Sequence, residues 1–152
     1  MISPVLYSSS SDEWYTPQPF FAALDAEFHF TLDAAATPQN AKCTRFFTKE
    51  DDALQQEWTG TVWCNPPYGR KIGAWVQKAH ESAKAGATVV LLIHARTDTR
   101  WFHSYICGKH EIRFVKGRIK FGGAKHNAPF PSMIVVMRPS DFEDIEKGAM
   151  TY

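Results

Sequence analysis

Thr61-Val-Trp-Cys-Asn-Pro-Pro-Tyr-Gly69 runs a short apolar stretch straight into a stiff turn. Thr61–Cys64 reads as a buried strand. It stops where Pro66 and Pro67 fix φ and remove two backbone donors, so the turn presents carbonyls and cannot extend a sheet. Downstream, Ile72, Trp75, Val76, Ala79 and Ala83 keep the helical period over 71–85, and Gly86 is placed as a C-terminal cap. Ala87–Ile93 is then continuously apolar and β-branched, the composition of a parallel strand buried on both faces. Strand, turn, helix and strand in this order predict an α/β unit around a parallel sheet.

Working outward, Thr16-Pro17 offers a hydroxyl N-cap with proline at the first helical position. Phe20, Phe21, Leu24 and Phe28 follow near one face, predicting a helix over 17–27. Residues 28–33 alternate and predict a strand ending on Asp33. Residues 37–57 are loop-rich, with Phe46-Phe47 as a short strand and 51–58 as a helical turn or two. Thr97-Asp-Thr99 caps a helix reaching Ile106, and 111–115, 118–121 and 132–137 read as strands. Between the last two lies a turn-rich loop over 122–131. The pattern predicts a three-layer α/β domain whose sheet is mostly parallel with a late antiparallel strand. Ligands of such sheets sit beyond the carboxyl ends of the strands. Asp33 and Asn65 are therefore expected to face one crevice.

A length of 152 residues suits one domain, assigned to 13–152 after a flexible 1–12 segment. The longest apolar run, 89–93, is far short of the roughly 20 residues of a membrane span. The N-terminus lacks the basic flank and apolar stretch of a secretion signal. Three cysteines, Cys43, Cys64 and Cys107, form no CxxC pair, and the expectation is a soluble protein of a reducing cytoplasm. The net charge of +1 hides an asymmetry: residues 1–60 carry three basic and nine acidic side chains, whereas 61–125 carry twelve basic and three acidic. Arg96, Arg100, Arg118, Lys120 and Lys125 belong to that basic stretch, which serves either a polyanion or a solvated surface spread over several faces. His103, Cys107 and His110 lie at helical spacings but make no zinc signature, and no metal is expected. Cys64, ending a buried strand, reads as packed and inert. Trp58, Trp63 and Trp75 read as core, while Trp14, Tyr15, Trp101 and Phe102 suit a ligand rim.

The turn itself carries the chemistry. Asn65 offers a fixed carbonyl acceptor and Tyr68 a flat ring, an arrangement that suits an amino group attached to a planar ring. Cys64-Asn-Pro-Pro-Tyr-Gly69 resembles the catalytic motif of amino-methyltransferases. The agreement extends to Glu13-Trp-Tyr-Thr-Pro17, Phe30-Thr-Leu-Asp-Ala-Ala-Ala36 and Asn40-Ala-Lys-Cys43. It continues through Ala95-Arg-Thr-Asp-Thr-Arg-Trp-Phe-His103, Gly117-Arg-Ile-Lys-Phe121 and Ala128-Pro-Phe-Pro-Ser132. Together these resemble the small phage-type DNA N6-adenine methyltransferases over residues 13–138.

The resemblance implies a Rossmann-like methyltransferase fold, S-adenosyl-L-methionine as cofactor and DNA as substrate, in a bacterial host and of phage or prophage origin. It implies that Asn65, Pro66, Pro67 and Tyr68 hold a flipped-out adenine, with Asn65 and the Pro66 carbonyl binding the N6 hydrogens. Thr16 and Pro17 are expected against the cofactor and Asp33 at its methionine end, with Ala34 and Ala35 in place of the usual glycines. Asp51 or Asp52 is expected at the ribose or adenine, unless both merely favour a helix N-terminus. The same chemistry on RNA or a protein glutamine, and a non-catalytic nucleic-acid-binding module, are the alternatives. With little chain left for target recognition, specificity is expected to come from short loops or from a homodimer, or to be low.

Overall fold

The first strand of the expected unit is buried over its last three residues. In the computed structural model, which describes residues 15–122 and 126–146, Val62, Trp63 and Cys64 of β2 (Thr61–Cys64) have almost no exposed surface. The 1–12 segment, Trp14 and Lys125 lie outside the described residues. β2 pairs in parallel with β1 (Leu32–Asp33) and with β3 (Thr88–His94), Cys64 standing opposite Leu91. β5 (Ser132–Met137) lies antiparallel to β3, and β4 (Glu111–Phe114) lies antiparallel to β5, giving the order β1-β2-β3-β5-β4. Four strands therefore run one way and β5 alone runs against them. The late antiparallel strand sits inside a mixed five-stranded α/β sheet rather than at its rim.

Side chains alternate between two apolar layers, as the pleat requires. Leu32, Val62, Leu91, Met133 and Val135 face α2 (Ile72–Lys84), α3 (Arg100–Tyr105) and Phe142 of α4 (Asp141–Glu146). Trp63, Val90, Leu92, Ile134 and Val136 face Phe21 of α1 (Gln18–Phe28), together with Tyr68, Ile119 and Phe121. Each large side chain so covered contributes roughly 1.5–3 kcal/mol. α2 ends as expected, with Gly86 at φ +122° and its N–H on the Ala83 carbonyl. α3 is capped by Thr99, whose hydroxyl accepts from the Phe102 N–H at 3.3 Å.

Several local expectations are corrected. α1 begins at Gln18, and the Thr16 hydroxyl does not cap it. The expected strand over 28–33 shrinks to Leu32–Asp33, because α1 runs to Phe28 and His29 then turns through a left-handed φ of 56°. Phe30 N–H goes to the Asp25 carboxylate at 2.9 Å instead of to a ladder. Phe46 contributes a single parallel bridge to Asp33, and the 51–58 turn is a 3-10 turn at Ala53–Gln55. Residues 118–121 form no strand of the sheet. Gly117 at φ +76° turns the chain away after β4, and the segment is tied by Ala128 N–H to the Ile119 carbonyl and by Gly122 N–H to the Tyr15 carbonyl, both at 2.7 Å. Ile119 and Phe121 still point inward and Arg118 and Lys120 outward, so a two-residue period is present without a ladder.

Candidate functional site

The carboxyl ends of β1 and β2 open into a cleft of about 660 Å³, within the ordinary range for a small-molecule site. Asp33, at the end of β1, is only 2% exposed. Its Oδ2 accepts from the Lys42 N–H at 2.9 Å and its Oδ1 from the Ala35 N–H at 3.2 Å. Burial pushes the carboxyl up to about 6, against the opposing pull of those two N–H groups. Ala34, Ala35 and Ala36 follow along the cleft wall, where a methyl group is the largest side chain. The chain then crosses back through Phe47, which donates its N–H to the Asp33 carbonyl.

Asn65 leaves β2 at the mouth of the same cleft, with Pro67 beside it. Its Nδ2 donates to Thr16 Oγ at 3.0 Å, a contact bridging 49 positions of sequence. Pro17, the N-cap of α1, follows Thr16, which is itself buried. Pro66 is buried under the turn. Tyr68, expected as an offered flat plate, is 3% exposed instead. Its hydroxyl donates to the Leu92 carbonyl at 3.2 Å, and its ring meets His94 edge-on at 4.1 Å and Phe130 at 5.4 Å. Burial holds that phenol, and the neighbouring Cys64 thiol, well above their ordinary ranges, so neither is an acid or nucleophile near neutrality.

The structure thus brings Thr16, Asp33, Ala34, Ala35, Asp52, Asn65 and Pro67 to one cleft. Asp51 is turned aside: its Oδ2 accepts from both the N–H and the hydroxyl of Thr48, at 2.8 and 3.0 Å, closing a turn. Glu50 lines the cleft, an acid the sequence reading passed over because three consecutive acids carry no signal of their own orientation. Trp75, assigned to the core, also reaches the cleft wall, as does Tyr15 from the assigned rim. Lys42 was missed as well. Its N–H holds Asp33, while its ammonium donates to Gln18 Oε1 at 2.8 Å, a role visible only once the chain has folded back. Arg96, Arg100, Arg118 and Lys120 are all exposed. His103 and His110 diverge, the former to the Thr97 carbonyl and the latter to Asp141 at 2.7 Å. Among the described residues no three potential ligands cluster around a metal position, and no helix is long and apolar enough to cross a membrane.

The sequence has relatives. Residues 5–151 match the family model described as DNA N-6-adenine-methyltransferase (Dam). The chain is 30% identical over 140 residues to a DNA N-6-adenine-methyltransferase of Haemophilus phage HP1 (strain HP1c1), covering 86% of this chain and 81% of that one. It is 35% identical over 94 residues to a DNA N-6-adenine-methyltransferase of Escherichia phage T1, covering 60% of this chain and 39% of the relative. With a match spanning nearly its whole length and a buried acid and a proline-stiffened asparagine sharing one cleft, the chain belongs to the DNA N-6-adenine-methyltransferase (Dam) family.

Proposed function

We propose that this protein transfers a methyl group from S-adenosyl-L-methionine to the exocyclic N6 of adenine in DNA. The observation that carries the reading is the pairing of Asn65 with Thr16 at the mouth of a cleft walled by buried Asp33. Family membership supports the substrate and the reaction. The donor set fits the cofactor: the cleft is large enough, its alanine wall allows close backbone approach, and a buried carboxylate suits an amino-acid ammonium. When bound, the cofactor supplies an electrophilic sulfonium methyl.

The residues of the chain do the rest by positioning. N6 of adenine is a weak nucleophile because its lone pair is delocalised into the ring. The Asn65 side-chain oxygen and the Pro66 carbonyl accept its two hydrogens and favour a pyramidal nitrogen, which directs the lone pair toward the methyl group. Thr16 holds the amide nitrogen of Asn65, so the acceptor end of that amide is the end turned to substrate. Asp33 would hold the methionine end of the cofactor, with Thr16, Ala34 and Ala35 on the same cleft wall and Pro17 next to Thr16 in the chain. Glu50 or Asp52, both on the cleft wall, serves its ribose or adenine in preference to Asp51. Tyr68 backs the base, and Arg96, Arg100, Arg118 and Lys120, with Lys125, meet the phosphates. Layers on both faces of the sheet support a three-layer Rossmann-like fold, assigned as one domain to 13–152. The phage relatives support action in the cytoplasm of a bacterial host. Pairing of two chains is one way for so small a protein to gain sequence specificity.

The test is mass spectrometry of nucleosides from unmethylated plasmid incubated with protein and S-adenosyl-L-methionine. New N6-methyladenine is expected, and none with Asn65→Ala. Cofactor binding without any methylated base redirects the assignment to RNA or to a protein amide. Absence of both leaves a nucleic-acid-binding module.

A further inference from the structure

Among the described residues, two buried polar atoms outside the cleft have no hydrogen-bond partner: His94 Nε2 and Ser132 Oγ. The two residues are direct partners across the antiparallel β3–β5 pair, the last pair before both strands leave the sheet. Directly paired residues point to the same face with Cβ atoms roughly 5 Å apart. Here that face is the one carrying Leu92, Ile134 and Tyr68, because side chains alternate along each strand. The two side chains that carry the unpartnered atoms therefore stand side by side on one face of the sheet.

Flat rings stand against this pair. The His94 ring lies 4.1 Å from that of Tyr68 and 4.0 Å from that of Phe130, centroid to centroid. It also lies beside the substrate turn, since the Tyr68 hydroxyl ties that turn to the Leu92 carbonyl of β3. The imidazole is uncharged near neutrality, as burial and then the nearby Arg96 cation lower its pKa to about 4. A neutral imidazole and a hydroxyl suit a neutral heteroaromatic edge rather than a phosphate. Native proteins seldom leave such groups unpaired in apolar surroundings, and doing so is costly unless a ligand completes them.

We propose that His94 and Ser132 form a second polar contact for the extruded adenine, binding its ring-nitrogen edge while the Asn65 turn holds its amino group. The inference rests on the methyltransferase reading above and adds specificity residues to it. The assignment accounts for a polar pair at this end of the sheet, where β3 is apolar from Val89 to Ile93 and β5 from Met133 to Met137, and where Leu or Ala would pack without penalty.

The experiment uses Ser132→Ala, His94→Phe and His94→Gln on a duplex containing the sequence context that the wild type methylates in plasmid. Removing an unpartnered buried polar group leaves Tm unchanged or raises it, whereas kcat/KM falls roughly tenfold in Ser132→Ala and in His94→Phe. His94→Gln, whose amide reaches the position of Nε2, keeps more of the rate. A second arm replaces the target adenine with 1-deazaadenine or 7-deazaadenine. The wild type loses rate on one of the two, and His94→Phe loses nothing further on that same duplex. Rates equal to wild type, losses of Tm and activity together, or a full His94→Phe loss on both deaza duplexes each overturn the proposal. Methylation of the adenine duplex by the wild type separates the two levels: its absence sinks the reaction itself, whereas its presence with unaltered variants sinks only this contact.

Discussion

Thr16 Oγ accepts from Asn65 Nδ2 at 3.0 Å, and the two ends of an amide differ in what they offer a substrate. Turned by half a revolution, Asn65 would set N–H donors against the N–H groups of adenine. Thr16→Val is therefore expected to lower kcat by about tenfold, one neutral hydrogen bond's worth, with cofactor Kd little changed. Thr16→Ser restores it. Stopped-flow turnover alongside cofactor titration checks this, and a change confined to Kd would contradict it. Asp33 makes a separate prediction. Its carboxyl, raised to about 6 by burial, is ionised above that pH and neutral below it. Affinity for S-adenosyl-L-methionine should fall as pH drops from 7 to 5, by calorimetry, and the fall should vanish in Asp33→Asn. Of these two residues, Asp33 was legible from the sequence as the end of a strand. Thr16 was not: a hydroxyl before proline at a helix start reads as a cap, and only the return of β2 reveals its real partner.

Among the elements, the arm from Gly117 to Gly122 departs furthest from what its sequence suggests. Alternation of Ile119 and Phe121 with Arg118 and Lys120 is the signature of a half-buried strand. The alternation reports burial on one side, which a packed extended arm shares with a ladder, and so it could not separate the two. Helix α2 was legible because its apolar stripe and Gly86 agree. The arm continues from β4, an edge strand whose Phe114 is 66% exposed, and it carries its cations outward at the end of the sheet where Phe114 and His94 emerge. Replacing Arg118 and Lys120 together by Ala is expected to weaken DNA binding at low salt. The slope of log K against log salt should shrink by about one for each phosphate that the protein no longer neutralises. Fluorescence anisotropy over a salt series measures this, and an unchanged slope would remove the arm from the interface.

For the whole molecule, buried histidines set the response to acid. Burial lowers His80 and His94 to about 4, and His110 is lowered as well despite its bond to Asp141. His110 donates from Nδ1 to Asp141, so its Nε2 faces His80 Nδ1 at 2.9 Å as an acceptor, and the chain of three is built for neutral rings. The unfolded chain takes up these protons near pH 6.5 and the folded one does not, so stability is lost as pH falls from about 6.5 toward 4. Asp33 acts in the opposite sense over about pH 4 to 6, but it is one group against three. Urea midpoints at pH 7.5 and 5 should therefore differ, the lower at pH 5. A higher midpoint at pH 5 would mean that the histidines are solvated.

The place of β5 also bears on how the protein is made. This strand is the last of the five in sequence, yet it is buried along all six residues between β3 and β4. A nascent chain that has emerged from the ribosome only as far as Phe130 has the Asn65 turn and the acid wall, but an open edge on β3 and no Ser132. Completion of the sheet then waits for β5, since among the described residues β4 pairs with no other strand. Translation arrested before β5 is made leaves the edges of β3 and β4 unpaired and removes one wall beside Tyr68, so such incomplete copies are expected to be cleaved by proteases before they act on DNA.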